Sequence, residues 1–175
     1  MTRILVIRLG ALGDFVQSFG PFAAIRAHHP DARITLLTTK PFVGLASASP
    51  WFDVVAVDDR PDWWNLAGLL RLRRMLRGFD LVYDLQTSGR SSRYFRLAGR
   101  PAWSGIARGC SLPDADPGRD RLHTRERQAG QLQQAGIPAV PDPDLSWLSR
   151  FGPPLPGRAA LLVPGAAPHL SLIHI

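Results

Sequence analysis

Asp14 closes the run RILVIRLGALGD, in which an apolar stretch feeds a glycine loop and the loop delivers a single carboxylate. A carboxylate at the mouth of a cleft acts as a general base toward a hydroxyl nucleophile when it lies within hydrogen-bond reach. The same residue type in the same place also caps a helix, worth about 1 kcal/mol, and spacing alone does not separate the two roles. Gly10 and Gly13 let the backbone turn and come close to a ligand. Gly10-Ala11-Leu12-Gly13 lacks the third glycine of a dinucleotide fingerprint and the Lys-Ser/Thr of a P-loop.

A second cluster is DLQTSGRSSR, Asp84 to Arg93. Gln86 offers a donor and an acceptor to sugar hydroxyls. Arg90 and Arg93 offer planar forks to phosphate or carboxylate; the alternative is a capped loop with solvated arginines. A third is His123-Thr124-Arg125-Glu126-Arg127, where His123 or Thr124 can equally cap a helix while Glu126 and Arg127 face solvent. The histidines lack metal-ligand spacing, so no metal site is expected, and no cofactor either. Cys110 reads as a passive loop thiol, and Trp51, Trp63 and Trp64 as packing residues.

These groups need a scaffold that brings them together. Ile4 to Ile7 is a continuous apolar run, suited to a strand covered on both faces. Strands follow at Arg33 to Thr38, Val54 to Val57 and Leu81 to Leu85, with a fifth expected at Ala102 to Ile106. Helices fall between them. One from Phe15 to His28 is interrupted at Gly20-Pro21, and a short one spans Pro41 to Ala48. An amphipathic one spans Trp63 to Arg77, with a stripe of Leu66, Leu69, Leu70, Leu72 and Leu76. A further helix lies around Ser91 to Leu97, and one runs from His123 to Ala135, stopped by Gly136. This is the alternation of an α/β, Rossmann-like, doubly wound parallel sheet. Parallel strands share their carboxyl ends, so Asp14 and the 84–93 cluster open at one edge, where such sheets bind ligands. Residues 108–121 read as a polar, mobile Gly/Pro loop.

The 175 residues support one full domain. A single cysteine forms no internal disulfide and suits a reducing compartment. No apolar stretch approaches the ~20 residues of a membrane span, and the N-terminus lacks a signal-peptide pattern; the expectation is a cytoplasmic protein. The net charge is +7, and of 21 basic residues only Lys40 is a lysine. Guanidinium groups suit phosphate and carboxylate partners, although part of this charge is a solvated face.

The prolines of 137–158 mark an extended linker leaving a domain of residues 1–136. Ala159 to Val163 and the small-residue loop Pro164 to Ala167 repeat the opening logic, as the first strand and loop of a second α/β domain over 159–170. The terminal LSLIHI does not continue that loop. It matches one reading frame of a common sequencing adapter, so 171–175 are expected to be a non-native tail.

RILVIRLGALGD, the Pro21 and Ala24-Ile25-Arg26 helix with His29-Pro30-Asp31-Ala32, DLVYDLQTSGRSS, HTRERQAGQLQQAGI and LLVPGAAPH together resemble glycosyltransferase family 9, the ADP-heptose:lipopolysaccharide heptosyltransferases. The resemblance runs to about His169. It implies the N-terminal, acceptor-side half of a GT-B enzyme, with Asp14 as the base of an inverting transfer. It places Gly13, Gln86, Arg90, Ser91 and Arg93 toward the acceptor and Gly165, Ala166 and Ala167 at the start of the donor loop. The implied partners are an ADP-heptose donor, a lipopolysaccharide core acceptor and the inner face of the inner membrane, with no nucleic acid. The chain itself is then an inactive fragment. A family member with another sugar or acceptor, and a non-enzymatic Rossmann ligand-binding domain, are the alternatives.

Overall fold

The computed structural model describes residues 1–151. The unit expected over 159–170, with Gly165, Ala166 and Ala167, the terminal tail and the end of the Pro-rich stretch lie outside the described residues.

Six strands form one sheet: β1 (Arg3–Ile7), β2 (Arg33–Thr38), β3 (Val54–Val57), β4 (Leu81–Asp84), β5 (Ala102–Gly105) and β6 (Leu112–Pro113). Their order is β3-β2-β1-β4-β5-β6 and every pairing is parallel. This is the doubly wound Rossmann-like order expected from the alternation. β1 is central, so Ile4 to Ile7 are all buried, alternating between two cores. That is why the run is apolar throughout.

Four helices cover one face: α1 (Leu12–Gln17), α2 (Phe19–His28), α3 (Val43–Ala48) and α6 (Thr124–Gln134). They bury Phe15, Phe19, Phe22, Ile25, Ala46 and Leu132 against Ile4, Val6, Ile34 and Leu36. α4 (Leu66–Leu76) and α5 (Gly89–Ala98) cover the other face, packing Leu72, Leu76, Tyr94 and Phe95 onto Leu5, Ile7, Leu37 and Val82. Each fully buried side chain of this size contributes about 1.5–3 kcal/mol.

Several expectations are corrected. The first helix breaks at Ser18, not at Gly20-Pro21. Ser18 turns its hydroxyl back onto the Asp14 carbonyl at 2.8 Å, and Pro21 sits in the first turn of α2, where a missing N–H costs nothing. Gly20 has another reason to be glycine, since a Cβ there would lie 2.7 Å from the Pro141 carbonyl oxygen.

The loop at 108–121 contributes a sixth strand. β6 is only two residues long and ends in proline, which an edge strand tolerates, so it carries no alternation to read. Arg119 Nε then pairs with buried Asp114 at 2.7 Å. The buried stripe of α4 is Gly68, Leu72 and Leu76, while Leu66 and Leu70 are exposed. Trp64 is 80% exposed and is not a packing residue.

The first part of the Pro-rich stretch stays on the domain. Ile137 is buried, and Trp147 meets Trp51 edge-to-face at 5.5 Å and Phe19 at 5.7 Å.

Candidate functional site

β1 leads into the loop that carries Asp14. Arg8 Nη1 donates to the Leu85 carbonyl at 2.7 Å, so the exits of β1 and β4 are tied together. Leu9 is held from three sides. Its N–H donates to Gln86 Oε1 at 2.8 Å. Its carbonyl accepts from Thr39 Oγ1 at 3.0 Å and from Arg60 Nη2 at 2.9 Å. Arg60 is steadied in turn, because its N–H donates to Asp58 Oδ1, whose other oxygen accepts Tyr94 Oη at 2.6 Å. Burial, followed by the Asp58 carboxylate, holds the Tyr94 phenol above its usual range.

Gly10 has φ +125° and faces Phe42, whose Cε2 would lie 2.8 Å from an added Cβ. No L side chain fits that combination.

α1 starts two residues later. Its N-cap is Ala11, with no side-chain cap, so the capping role considered for Asp14 is not the one it has. Asp14 is the third residue of α1, its side chain 45% exposed. Its Oδ2 lies 3.4 Å from Arg8 Nη2, and its Oδ1 accepts from Thr124 Oγ1 at 3.3 Å. Thr124 opens α6, where His123 is the N-cap and Glu126 completes a capping box. Of the two residues read as caps, His123 is the one that caps, and Glu126, expected to face solvent alone, turns back onto the His123 N–H, while Thr124 faces Asp14.

Behind Asp14 the site is buried and polar. Arg8 is 2% exposed. Burial pulls its pKa down and the Asp14 carboxylate pulls it back up, while Arg127 lowers it further and Asp84 raises it, both more weakly. Asp84 is fully buried. Its Oδ1 accepts the N–H groups of Gln86 at 3.2 Å and Thr87 at 3.0 Å. Burial still outweighs these bonds and that of Ser91, and pushes the Asp84 pKa up to about 6. From α6, Gln128 Nε2 donates to Ser18 Oγ at 3.0 Å, and Gln131 Nε2 to the Asp84 carbonyl at 3.1 Å.

The other sequence candidates divide. Gly13 is exposed, with open space where a Cβ would stand. Gln86 is at the edge as expected, but its oxygen holds the Leu9 loop. Ser91 is fully buried, and its hydroxyl meets the Ser88 backbone N–H at 2.9 Å in a capping box. It therefore positions the 84–91 turn and cannot reach an acceptor directly. Arg90 and Arg93 stack on Trp63, at 5.4 and 4.9 Å from the ring centroid. Among the described residues, neither forms an ion pair with Asp14.

Asp84 lay within the 84–93 cluster but was given no role of its own, and Arg8 was missed from the sequence. Its signal was legible, a charge directly after four buried strand residues, Ile4 to Ile7. Cys110 is the weak loop thiol expected, its Sγ donating to the Gly105 carbonyl at 3.4 Å. Among the described residues, no group of His, Cys, Asp or Glu forms a metal cluster, and no helix is long and apolar enough to cross a membrane.

No family model matches the chain. It is 30% identical over 153 residues to a Haemophilus influenzae protein named as a glycosyltransferase, covering 80% of this chain and 43% of that protein. It is 28% identical over 91 residues to the lipopolysaccharide core heptosyltransferase OpsX of the same organism, covering 51% of this chain and 25% of that one. The chain thus spans less than half the length of either relative.

Among solved structures it is similar to a family 9 glycosyltransferase from Veillonella parvula, with a TM-score of 0.65 and 22% identity over 78% of this chain and 41% of that one. It is also similar to the E. coli heptosyltransferase WaaC with ADP-2-deoxy-2-fluoro heptose, with a TM-score of 0.63 and 18% identity over 89% of this chain and 56% of that one. At these identities the structural likeness is one of fold. The resemblance to glycosyltransferase family 9 read from the motifs is borne out by these relatives.

Proposed function

We propose that this chain is the acceptor-side half of a glycosyltransferase that moves a heptose from ADP-heptose to the lipopolysaccharide inner core with inversion, using Asp14 as general base. The observation that carries the reading is the Asp14 carboxylate, half exposed at the carboxyl edge of the sheet and held on both oxygens, by Arg8 and Thr124. In the reaction, Asp14 takes the proton of an acceptor hydroxyl as that oxygen bonds to the anomeric carbon. The bond from that carbon to the diphosphate breaks, and ADP leaves with the electron pair. A base fixed in orientation loses less freedom on reaching the transition state.

The donor side would come from sequence beyond the described residues, starting at Gly165 to Ala167. Gln86, Arg90 and Arg93 line the acceptor approach, and Ser91 positions their turn. The names of OpsX and WaaC and the ADP-sugar bound to WaaC support the donor and acceptor assigned here. Leu12, two positions before Asp14, and Leu122, two positions before Thr124, are exposed apolar side chains, which suits an acceptor anchored in the inner face of the inner membrane.

The test uses a gene product that includes the donor side. Asp14→Asn lowers kcat by about a hundredfold or more with donor KM nearly unchanged. Arg90→Ala raises acceptor KM more than donor KM. Full activity in Asp14→Asn refutes the base assignment. Transfer of another sugar but not heptose assigns a different substrate, and no transfer of any sugar assigns a ligand-binding domain. The 175-residue chain alone is expected to turn over no ADP-heptose.

A further inference from the structure

At the amino ends of the strands, remote from Asp14, a cavity of about 300 Å³ opens between the edge of the sheet and α4. Four arginines line it: Arg3 and Arg33, which open β1 and β2, and Arg74 and Arg77 at the end of α4. Arg3 and Arg33 are direct register partners on neighbouring parallel strands, an arrangement in which like charges repel. None of the four forms an ion pair among the described residues.

The nearby acids have their hydrogen bonds elsewhere, and Arg33 acts on Asp53 only through a lesser charge attraction without an ion pair. Asp53 pairs with Arg26 at 2.6 Å and accepts the Ile34 N–H at 2.7 Å, and Asp80 accepts the Arg3 backbone N–H at 2.8 Å. Arg3 is held in place without a counter-charge, its guanidinium 5.2 Å over the Phe79 ring. Thr35 lines the cavity and is otherwise buried, and among the described residues its hydroxyl has no hydrogen-bond partner.

We infer that this cavity is a binding site for a phosphoryl anion of about pyrophosphate size, separate from the Asp14 edge. A carboxylate has two oxygens and is saturated by one or two guanidinium forks. Several forks and a hydroxyl converging on one space match the larger oxygen count of phosphoryl groups. The anion would also relieve the repulsion between Arg3 and Arg33. The inference does not depend on the proposed transferase activity.

The same chemistry is offered by free pyrophosphate and by a phospholipid headgroup, and the experiment separates them. The full 175-residue chain is titrated at low ionic strength with sodium pyrophosphate, and separately with phosphatidylglycerol vesicles. The proteins are wild type, the double variant Arg33→Gln/Arg74→Gln, and the control Arg71→Gln/Arg73→Gln on the same helix but with neither residue of the pair among the four. All substituted positions are exposed, and circular dichroism confirms that each variant folds.

Pyrophosphate is expected to bind wild type and control alike, and the double variant at least about tenfold more weakly. Vesicle binding that is lost only in the double variant, without a pyrophosphate effect, assigns the site to a headgroup. Equal weakening in the double variant and the control, or no binding of either probe, overturns the site and leaves a diffusely charged surface.

Discussion

The two ends of the sheet handle charge in opposite ways. At the carboxyl ends, Arg8 and Asp84 are buried and Asp14 is half exposed, and each has a partner within the chain, while Arg8 Nε and Asp84 Oδ2 stay without a hydrogen bond among the described residues. Arg8 reaches Asp14 and the Leu85 carbonyl, Asp14 meets Thr124, and Asp84 caps its own turn. At the amino ends, Arg3, Arg33, Arg74 and Arg77 face one cavity with no carboxylate among them. A site that does chemistry needs fixed groups, which require partners and burial. A site that binds a mobile anion needs the reverse, cations left free to be answered from outside.

The largest expected effect breaks the carboxyl end by pH. Asp84 goes from 3.8 unfolded to about 6 in the folded chain. The folded state therefore binds this proton more tightly than the unfolded one. The group favours folding most below about pH 4, and its contribution is lost as pH rises to about 6, a loss of roughly 3 kcal/mol. Urea unfolding of Asp84→Asn should lack that part of the wild-type slope between pH 4 and pH 7. The arginines of the amino end contribute no such slope, and Asp53 beside them, held below its usual pKa, contributes one of the opposite sign.

Next, Arg8→Met should destabilise by about 1.5–3 kcal/mol, the cost of losing a charged hydrogen bond to the Leu85 carbonyl and the link to Asp14. Chemical denaturation measures it. Thr124→Val, which removes only the hydroxyl facing Asp14, should cost about 0.5–1.5 kcal/mol. Arg33→Gln should do the opposite of these two and stabilise the chain by a few tenths of a kcal/mol at low salt. That gain should fade toward 1 M salt, where charges more than about 3 Å apart are screened. Thermal unfolding at two salt concentrations reads it. A destabilising Arg33→Gln would show that the amino-end arginines are structurally answered after all, and would erase the contrast.

Much of the fold was legible because its signals are local. The strands at Arg33–Thr38 and Val54–Val57 follow from apolar runs, and the helices read around Ser91 to Leu97 and from His123 to Ala135, the latter stopped by Gly136, correspond to 89–98 and 124–134. β6 was not legible, because two residues ending in proline carry no pattern of their own and are strand only by pairing with β5. The helix break moved to Ser18 because proline is harmless in a first turn. The course of residues 137–151 depended on Trp147 finding Trp51 and Phe19, a contact that no spacing announces.

Residue type and strand-end logic placed Asp14 and Gln86 at the carboxyl edge, where they stand in the fold. Ser91 was misread as an acceptor contact, because a serine at N3 of a helix bonds its own cap as readily as a ligand. Arg90 and Arg93 kept their charge but found an aromatic ring, Trp63, 27 and 30 positions earlier in the chain.

By itself, then, the sequence determined that this is a parallel α/β sheet with a carboxylate delivered where such sheets bind ligands. Alternation, caps and glycines act over a few residues and need no neighbours to be read. Only the tertiary structure decided what Asp14 is bonded to and which arginines stand together. The Asp14–Thr124 bond joins positions 110 residues apart, and the Arg8–Leu85 bond behind it positions 77 apart. They exist because β1 and β4, separated in the chain, lie side by side in the sheet, with α6 folded across their ends.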